Sequence, residues 1–598
     1  MRRIVNGFAL LAAACPLLFI ALTSAASADN QYQWSVASGS WSAPANWGGT
    51  VPTGYDDACI NNGGTVTIAS AVATCNNLFV GGGGAGAVEM TGGSLAAFYP
   101  GVTPFFIIYP YPWRYDFEYV GMSAVGTFTQ SGGMNTCDLI VGYGIRATGS
   151  YTLAGSGRVS AGEEFLGYWG TGNFTQSGGT NNTMSLCFGY QAGGGTYNLN
   201  GGLLTASQIS AGYGIGTFNL NGGTLQVLSS CTTFFQGLTN VYVQAGGAKI
   251  DSHGQNVTLA EPLLHDPALG AMPAGGLTKY GGGPLTLTGS NAYTGGTTIV
   301  DGAIQYGDGA TVNGSIAGNV TDNGILTIAN PAAQTVSITI RGSGSLTKLG
   351  SGTLTLTGTN TYTGPTNLSG GTLVNNGAIA GPTNVNSGGM AKGSGRYGPL
   401  TLNSGGTFSP GNSPGSVTTG TTSWNGGGEY LFELNNATGT AGANWDLWHV
   451  IGTLSIAATS SPGNQLTLAV VSDNGTLPGL AADFDPTQND SWLIADASGG
   501  ILGFDPAAFQ INTSGFSNSL GGGHFAVAQS GNSVYLDFVS AVPEPGTFAL
   551  LGAGAIGLAA YAWRRRGHAA GAVAVSRCFS GGADRRLLGD RAGAEQLL

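Results

Sequence analysis

The stretch that decides the fold is "GTFTQSGG" at residues 126–133. It returns as "GSYTLAGSG" at Gly149, "GNFTQSGG" at Gly172 and "GTYNLNGG" at Gly195. Each start lies 23 residues after the last, and a fifth version, "GTFNLNGG", begins at Gly216 after 21. An aromatic holds the same place in every copy: Phe128, Tyr151, Phe174, Tyr197 and Phe218. A second apolar strand follows, as in "LIVGYG" (139–144) and "LCFGYQ" (186–191). Each unit therefore holds two or three short alternating strands between Gly and Asn turns. One unit cannot bury its apolar face alone. Stacked units pair like with like, and their aromatics form an internal ladder. The expected fold is all-β: a right-handed parallel β-solenoid of about 23-residue rungs, each adding about 4.8 Å of axis. A β-propeller competes, but its blades take about 40 residues.

Composition supports this reading. The 598 residues include 107 Gly, and only 8% are charged. Interleaved β-branched and aromatic residues argue against a disordered linker, and collagen periodicity is absent. Between Asp29 and Ser540, 25 acidic residues stand against 9 basic ones, a net charge of −16. No basic patch offers itself to nucleic acid, which is excluded as a partner.

The first 28 residues read as a secretory signal. Arg2 and Arg3 form the charged region, Phe8 to Leu22 the apolar region, and Ala26-Ser27-Ala28 the small-residue cleavage site. The competing reading is a buried first strand. Residues 29–79 are expected to form an N-terminal β cap around Trp34, Trp41 and Trp47, because an open rung is an exposed sheet edge. Of seven cysteines, Cys15 leaves with the signal. Cys59 and Cys75 are placed to pair across a hairpin in an oxidising compartment. Cys137, Cys187, Cys231 and Cys578 show no metal-ligand spacing and read as isolated thiols. No metal site or cofactor is expected.

The 23-residue repeat is assigned to residues 80–265. Residues 266–420 carry a second pattern: "GLTKYGGGPLTLTGSNAYTGGTTIVDGAIQYGDG" from Gly276 and "SLTKLGSGTLTLTGTNTYTGPTNLSGGTLVNNG" from Ser345. Leu277 maps to Leu346, Lys279 to Lys348 and Tyr293 to Tyr362, every pair 69 apart, which is three times 23. The expectation is that the rung length persists, giving a rod on the order of 70 Å from about residue 80 to 420. This pattern resembles the autotransporter-associated β-strand repeat. "GGAKIDSHGQNVTLAEPL" (246–263) and "GGTFSPGNSPGSVTTG" (405–420) resemble the segments that flank it in such proteins. The resemblance is specific for architecture and nearly silent on chemistry. One copy departs from it, with Pro284 at a strand start, where a ladder hydrogen bond is lost. Residues 421–540 have longer strands and more acid, and read as a compact β region that caps or continues the solenoid.

"VPEPGTFALLGAGAIGLAAYAWRRR" (542–566) resembles the PEP-CTERM sorting signal of Gram-negative bacteria. The resemblance implies that an exosortase, a membrane cysteine-type transpeptidase, recognises Val542-Pro543-Glu544-Pro545 and processes the chain nearby. The same signature has been labelled an ice-binding-protein C-terminal domain. An apolar helix over about 547–563 is expected to hold a transient inner-membrane intermediate. Arg564, Arg565 and Arg566 form its cytoplasmic stop. A permanent anchor explains the helix but not the Pro-Glu-Pro. Residues 567–598 hold four of the chain's 18 basic residues and lose the Gly-Thr-Asn texture. They read as a disordered tail outside the working protein.

Chemical motifs are few. "GNSPG" (411–415) fits a nucleophile elbow but lies between prolines in a β-repeat, with no helical pattern after it. "GGGGAG" (81–86) fits G-x-G-x-x-G, and again no helix follows. The best acidic group is Asp116, Glu118, Asp138, Glu163 and Glu164 with Arg158. A lyase or hydrolase would need such carboxylates clustered. Glu163 and Glu164 are adjacent and face opposite sides of a strand, and solvated or rung-edge acids are the plainer reading. Lys249, Asp251 and His253 lie together in the structural "KIDSH" segment. The run "FFIIYPYPWRYDFEY" (105–119) reads as a packed insertion or as a sugar-binding patch. A threonine face (Thr286, Thr288, Thr355, Thr357) is compatible with ice binding, though Thr is also an ordinary strand residue. The chain therefore reads as an exported, non-enzymatic structural or adhesin-like solenoid of the cell surface or extracellular matrix, with exopolysaccharide among its expected partners. A polysaccharide-processing β-helix enzyme is the alternative.

Overall fold

The computed structural model describes residues 30–98, 117–474, 479–541 and 553–564. The signal, the Val542–Pro545 motif, Arg565, Arg566, the tail and residues 99–116 lie outside the described residues. The chain divides into a large unit and a small one.

The large unit is a parallel β-solenoid. Three short strands make a coil, and each strand pairs in parallel with its counterparts one coil before and one coil after. On the first face Gly126 pairs with Gly149, Gly149 with Gly172, Gly172 with Gly195 and Gly195 with Gly216. The strands alternate half-buried and buried residues, as in Thr148–Leu153. Every second side chain therefore points into the coil. The five repeat aromatics all point inward and are buried. Phe128, Tyr151, Phe174 and Tyr197 stack nearly parallel at centroid distances of 4.6, 4.8 and 4.7 Å, and Phe218 follows at 5.5 Å. The rung spacing itself sets these distances.

Glycines turn the corners where the chain leaves the third face. Gly142 and Gly167 have φ of 82° and 74°, and a methyl on either would run into the backbone of the next coil, at Thr171 and Gly194. We expect Gly142→Ala or Gly167→Ala to cost about 2 kcal/mol or more. Gly83→Ala, which meets nothing within 4 Å, should stay within ~0.5 kcal/mol. Urea unfolding of the three variants tests this, and equal midpoints would contradict the corner argument.

The first coils include residues 31–80, whose strands enter the same stacks. Trp47 sits edge-on between Trp34 and Trp41 at 5.0 Å from each, and all three are buried.

Beyond Gly276 the coil length changes, which corrects the expectation of a constant 23-residue rung. Leu277 pairs with Thr297, 20 residues on. Thr297 pairs with Val320, 23 on, and Val320 with Ile340, 20 on. Three coils therefore carry Leu277 only as far as Ile340, and Leu346 falls on the next face, paired with Leu326 and Thr366. The two copies of the pattern are alike in sequence but sit on different sides. The pattern is a strand–corner–strand unit that fits any side of a three-sided coil, and corners lose residues without disturbing strand register. For the same reason the threonine pairs do not form one array. Thr286 lies on the third face and Thr355 on the first. Coils then shorten to 17 residues, with Thr366 opposite Thr383. They lengthen after Leu400, which pairs with Thr422; Thr422 pairs with Leu454 and Leu454 with Ile501. Residues 421–502 thus continue the same stacks.

The small unit comprises Asp485–Asp490, Ser519–Phe525 and Phe538–Leu598. Within it Ser540 bonds Asn489 and Pro486, and Phe525 meets Phe538 at 5.3 Å. It contains the one α-helix among the described residues, 553–564, exposed along its length.

Candidate functional sites

The helix 553–564 ends on Arg564, the one stop arginine among the described residues. Ile556, Leu558, Tyr561 and Trp563 are exposed on it. Its composition is apolar all round, as a lipid-facing segment requires. Among the described residues no helix is long and apolar enough to cross a membrane. Twelve residues span ~18 Å against a hydrocarbon core of ~30 Å. Of the segment 547–563 expected to form a transmembrane helix, residues 553–563 are helical and 547–552 lie outside the described residues.

The acidic group does not assemble into a cleft. Glu163 faces out, while Glu164 and Glu118 are fully buried inside the coils. The plainer expectation of solvated acids fails for these two. They belong to a polar layer that recurs every second coil. Asn135 Nδ2 donates to Glu118 Oε2 at 2.9 Å and lies 3.1 Å from the Tyr151 hydroxyl, which donates to Gln130 Oε1 at 2.7 Å. Two coils on, Asn181 Nδ2 donates to Glu164 Oε2 at 3.1 Å and lies 3.2 Å from the Tyr197 hydroxyl, which donates to Gln176 Oε1 at 2.6 Å. Each glutamine closes the layer by donating to backbone carbonyls of Gly133 and Arg158, or of Gly179 and Leu203. Burial pushes the Glu118 carboxyl up to about 7 and the Glu164 carboxyl up to about 8, against the pull of the asparagine bonds. Glu118 and Glu164 each leave Oε1 without a partner, and Asn135 and Asn181 leave Oδ1 so. A proton on the glutamate adds a donor to a layer that holds unpartnered acceptor oxygens. Sequence reasoning missed this layer, although a signal was there: Glu118/Glu164, Gln130/Gln176, Asn135/Asn181 and Tyr151/Tyr197 are each 46 residues apart.

The remaining motifs are structural. Asp138 Oδ1 accepts the backbone N–H of Gly162 and Glu163; Asp116 lies outside the described residues. Cys59 and Cys75 are buried free thiols and not a bridge. Burial pushes the Cys59 thiol up to about 12 and the Cys75 thiol well above its usual range, so neither is a nucleophile. Asp251 binds Gln226 and the His253 N–H. Residues 81–85 form a corner that leads into strand Gly86–Met90. Ser413 of "GNSPG" has φ of 85°, and its hydroxyl bonds Glu433, a buried acid whose carboxyl burial pushes up. Glu433 N–H in turn donates to buried Asp446. The repeat lysines are buried as well. Lys279 Nζ donates to the carbonyls of Tyr280 and Gly281, and Lys348 Nζ to those of Leu349 and Gly350. Burial lowers both to about 8.

Two surface features have no counterpart in the sequence reading. On the second face Thr418 pairs with His449 and His449 with Asp496. His449 Nδ1 meets Asp496 Oδ1 at 2.8 Å in a groove of about 470 Å³. Along the third face and its corner, aromatics follow one another, one pair stacked and the others edge-on or tilted. Phe79 meets Tyr119 at 5.2 Å, Tyr119 meets Tyr143 at 5.4 Å, Tyr143 meets Tyr168 at 5.2 Å, and Tyr168 meets Tyr190 at 4.8 Å. Phe165 packs against Tyr168 and Tyr190.

Comparison with known families agrees with this architecture. The passenger-associated-transport-repeat family matches residues 277–305 and 346–374, and the PEP-CTERM protein-sorting motif matches residues 541–566. The chain carries both. No curated protein matches it. The transport repeats begin at Leu277 and Leu346, the two positions that the solenoid places on different faces. Together, sorting motif and transport repeats support an exported, surface-directed protein handled by an exosortase.

Proposed function

We propose that the chain is a non-enzymatic structural or adhesin-like rod of the cell surface or exopolysaccharide matrix of a Gram-negative bacterium. The observation that carries this reading is the sorting-motif match at residues 541–566 behind a chain of stacked parallel coils. The exosortase reads Val542-Pro543-Glu544-Pro545. The apolar segment holds an inner-membrane intermediate, with Arg564–Arg566 on the cytoplasmic side. A scaffold role accords with acids that serve the interior: Glu118 and Glu164 are sealed inside the coils and closed to a substrate.

Mass spectrometry of the C-terminus of surface-released protein tests this. The mature chain is expected to lack Arg564–Arg566. Pro543→Ala combined with Glu544→Ala is expected to leave the chain full-length in the membrane fraction. An intact C-terminus in wild-type surface protein would refute processing. Turnover of a polysaccharide by the purified chain would favour the enzyme alternative.

A further inference from the structure

The outer corner of the third face presents a track of aromatic rings, one step per coil. Registered glycines turn this corner, and the residue after each of four of them is a tyrosine: Tyr143, Tyr168, Tyr190 and Tyr213. Backbone bonds align the steps. Tyr168 N–H donates to Gly142 O, Trp169 N–H to Tyr143 O and Gln191 N–H to Tyr168 O. On the strands that lead into it, Ile140 is paired between Tyr119 and Phe165 and is only 3% exposed. The outer members of the track are left open: Trp169 is 41%, Tyr190 40% and Tyr213 92% exposed. A monomeric surface seldom leaves such rings clustered in the open without use.

We propose that this track binds a neutral polysaccharide laid along the coils. The inference rests on the matrix placement proposed above and names the partner chemistry. Three observations select the occupant. The rings of Tyr119, Tyr143, Tyr168 and Tyr190 follow one another at 4.8–5.4 Å, and a backbone bond from Tyr213 N–H to Tyr190 O carries the track one coil further; this step is close to the length of one sugar in an extended chain, so each coil meets one residue. The rings are mostly tyrosines, which pair an apolar body with a hydroxyl that donates and accepts, as a sugar face requires. Acidic Asp138 and Glu163 lie on the strands that lead into the corner, and among the described residues Arg146 is the one cation at the corner. In a solenoid of net charge −16, this repels a polyanion such as a uronate polymer or nucleic acid. Weak contacts repeated along one strand add as multivalent binding does.

Affinity electrophoresis of the purified exported chain provides the test. The probes are neutral glucans, mannans and galactans, with polygalacturonate as the anionic control. At least one neutral polymer is expected to retard the chain and polygalacturonate to leave it unretarded. The variant Trp169→Ala/Tyr190→Ala/Tyr213→Ala should lose at least tenfold in affinity with its melting profile unchanged. Tyr190→Phe/Tyr213→Phe should fall between, because rings remain and hydroxyls go. Failure of every neutral polymer, retardation by polygalacturonate, or full binding by the triple alanine variant would each overturn the proposal. So would a dimer that the triple variant dissolves without any polymer binding, since a second copy would then be the occupant. Sorting is read separately at the C-terminus, so a failure of binding and a failure of sorting are distinguishable.

Discussion

The solenoid is expected to lose thermal stability as the pH rises from about 5 to 8. Glu118 and Glu164 titrate at about 7 and about 8 in the fold, raised by burial from 4.5. Across that window the folded chain holds protons that the unfolded chain has released. Stability is therefore fully present below 4.5 and falls as the pH climbs through the folded values. At roughly 1.4 kcal/mol per pH unit for each group, the pair removes on the order of 8 kcal/mol by the time both are charged. Burial also raises Asp322, to about 6, and Asp446, and these act in the same direction. Lys279 and Lys348, lowered to about 8, act in the opposite direction above that pH and flatten the curve there. Glu118→Gln/Glu164→Gln keeps the hydrogen bonds of the neutral acid and removes its titration. The double variant should show most of the pH slope gone and match the wild type near pH 5. Melting by circular dichroism at pH 5, 7 and 9 decides it. A midpoint that rises between pH 5 and 7, below the lysine window, or an unchanged slope there in the double variant, would sink the buried-acid account.

Phe174→Ala is expected to cost about 3–5 kcal/mol. Phe174 is fully buried and stacks on Tyr151 at 4.8 Å and Tyr197 at 4.7 Å. Its removal opens a cavity between two rungs and cuts the ladder in the middle. The neighbouring tyrosines cannot close the gap, because their hydroxyls are held by Gln130 and Gln176. In a stack where each coil meets only its neighbours, the loss falls on two interfaces at once. Tyr213→Ala, on the open surface, should change stability by less than ~0.5 kcal/mol. Urea unfolding compares the two. A Phe174→Ala midpoint close to that of Tyr213→Ala would mean that the ladder carries little of the fold.

Some of this was legible in the residues. The 23-residue return of Gly-x-aromatic sets strand period, turn position and inward side chain together, because a parallel stack places identical residues over each other. The tryptophan cluster at Trp34, Trp41 and Trp47 was legible as three large apolar side chains close together at the start of the stack, although they stand just past the first two strands and at the end of a short 3-10 turn. The sorting motif is linear and needs no fold to be read. The regular 69-residue offset, by contrast, misled. It counts residues, and corners absorb residues without moving strands, so Leu277 and Leu346 share a pattern but not a face.

By itself the sequence determined the parallel stack, its internal aromatic ladder and the address near its C-terminus, since each follows from local spacing. Only the tertiary structure decided which side of each coil a residue occupies. That choice sealed Glu118 and Glu164 inside, where burial raises both carboxyls, and left Cys59 and Cys75 as buried free thiols. It also brought His449 beside Asp496 from 47 residues away. Above all, it lined up four tyrosines along one corner, where coil closure, and not sequence neighbourhood, fixes what stands next to what.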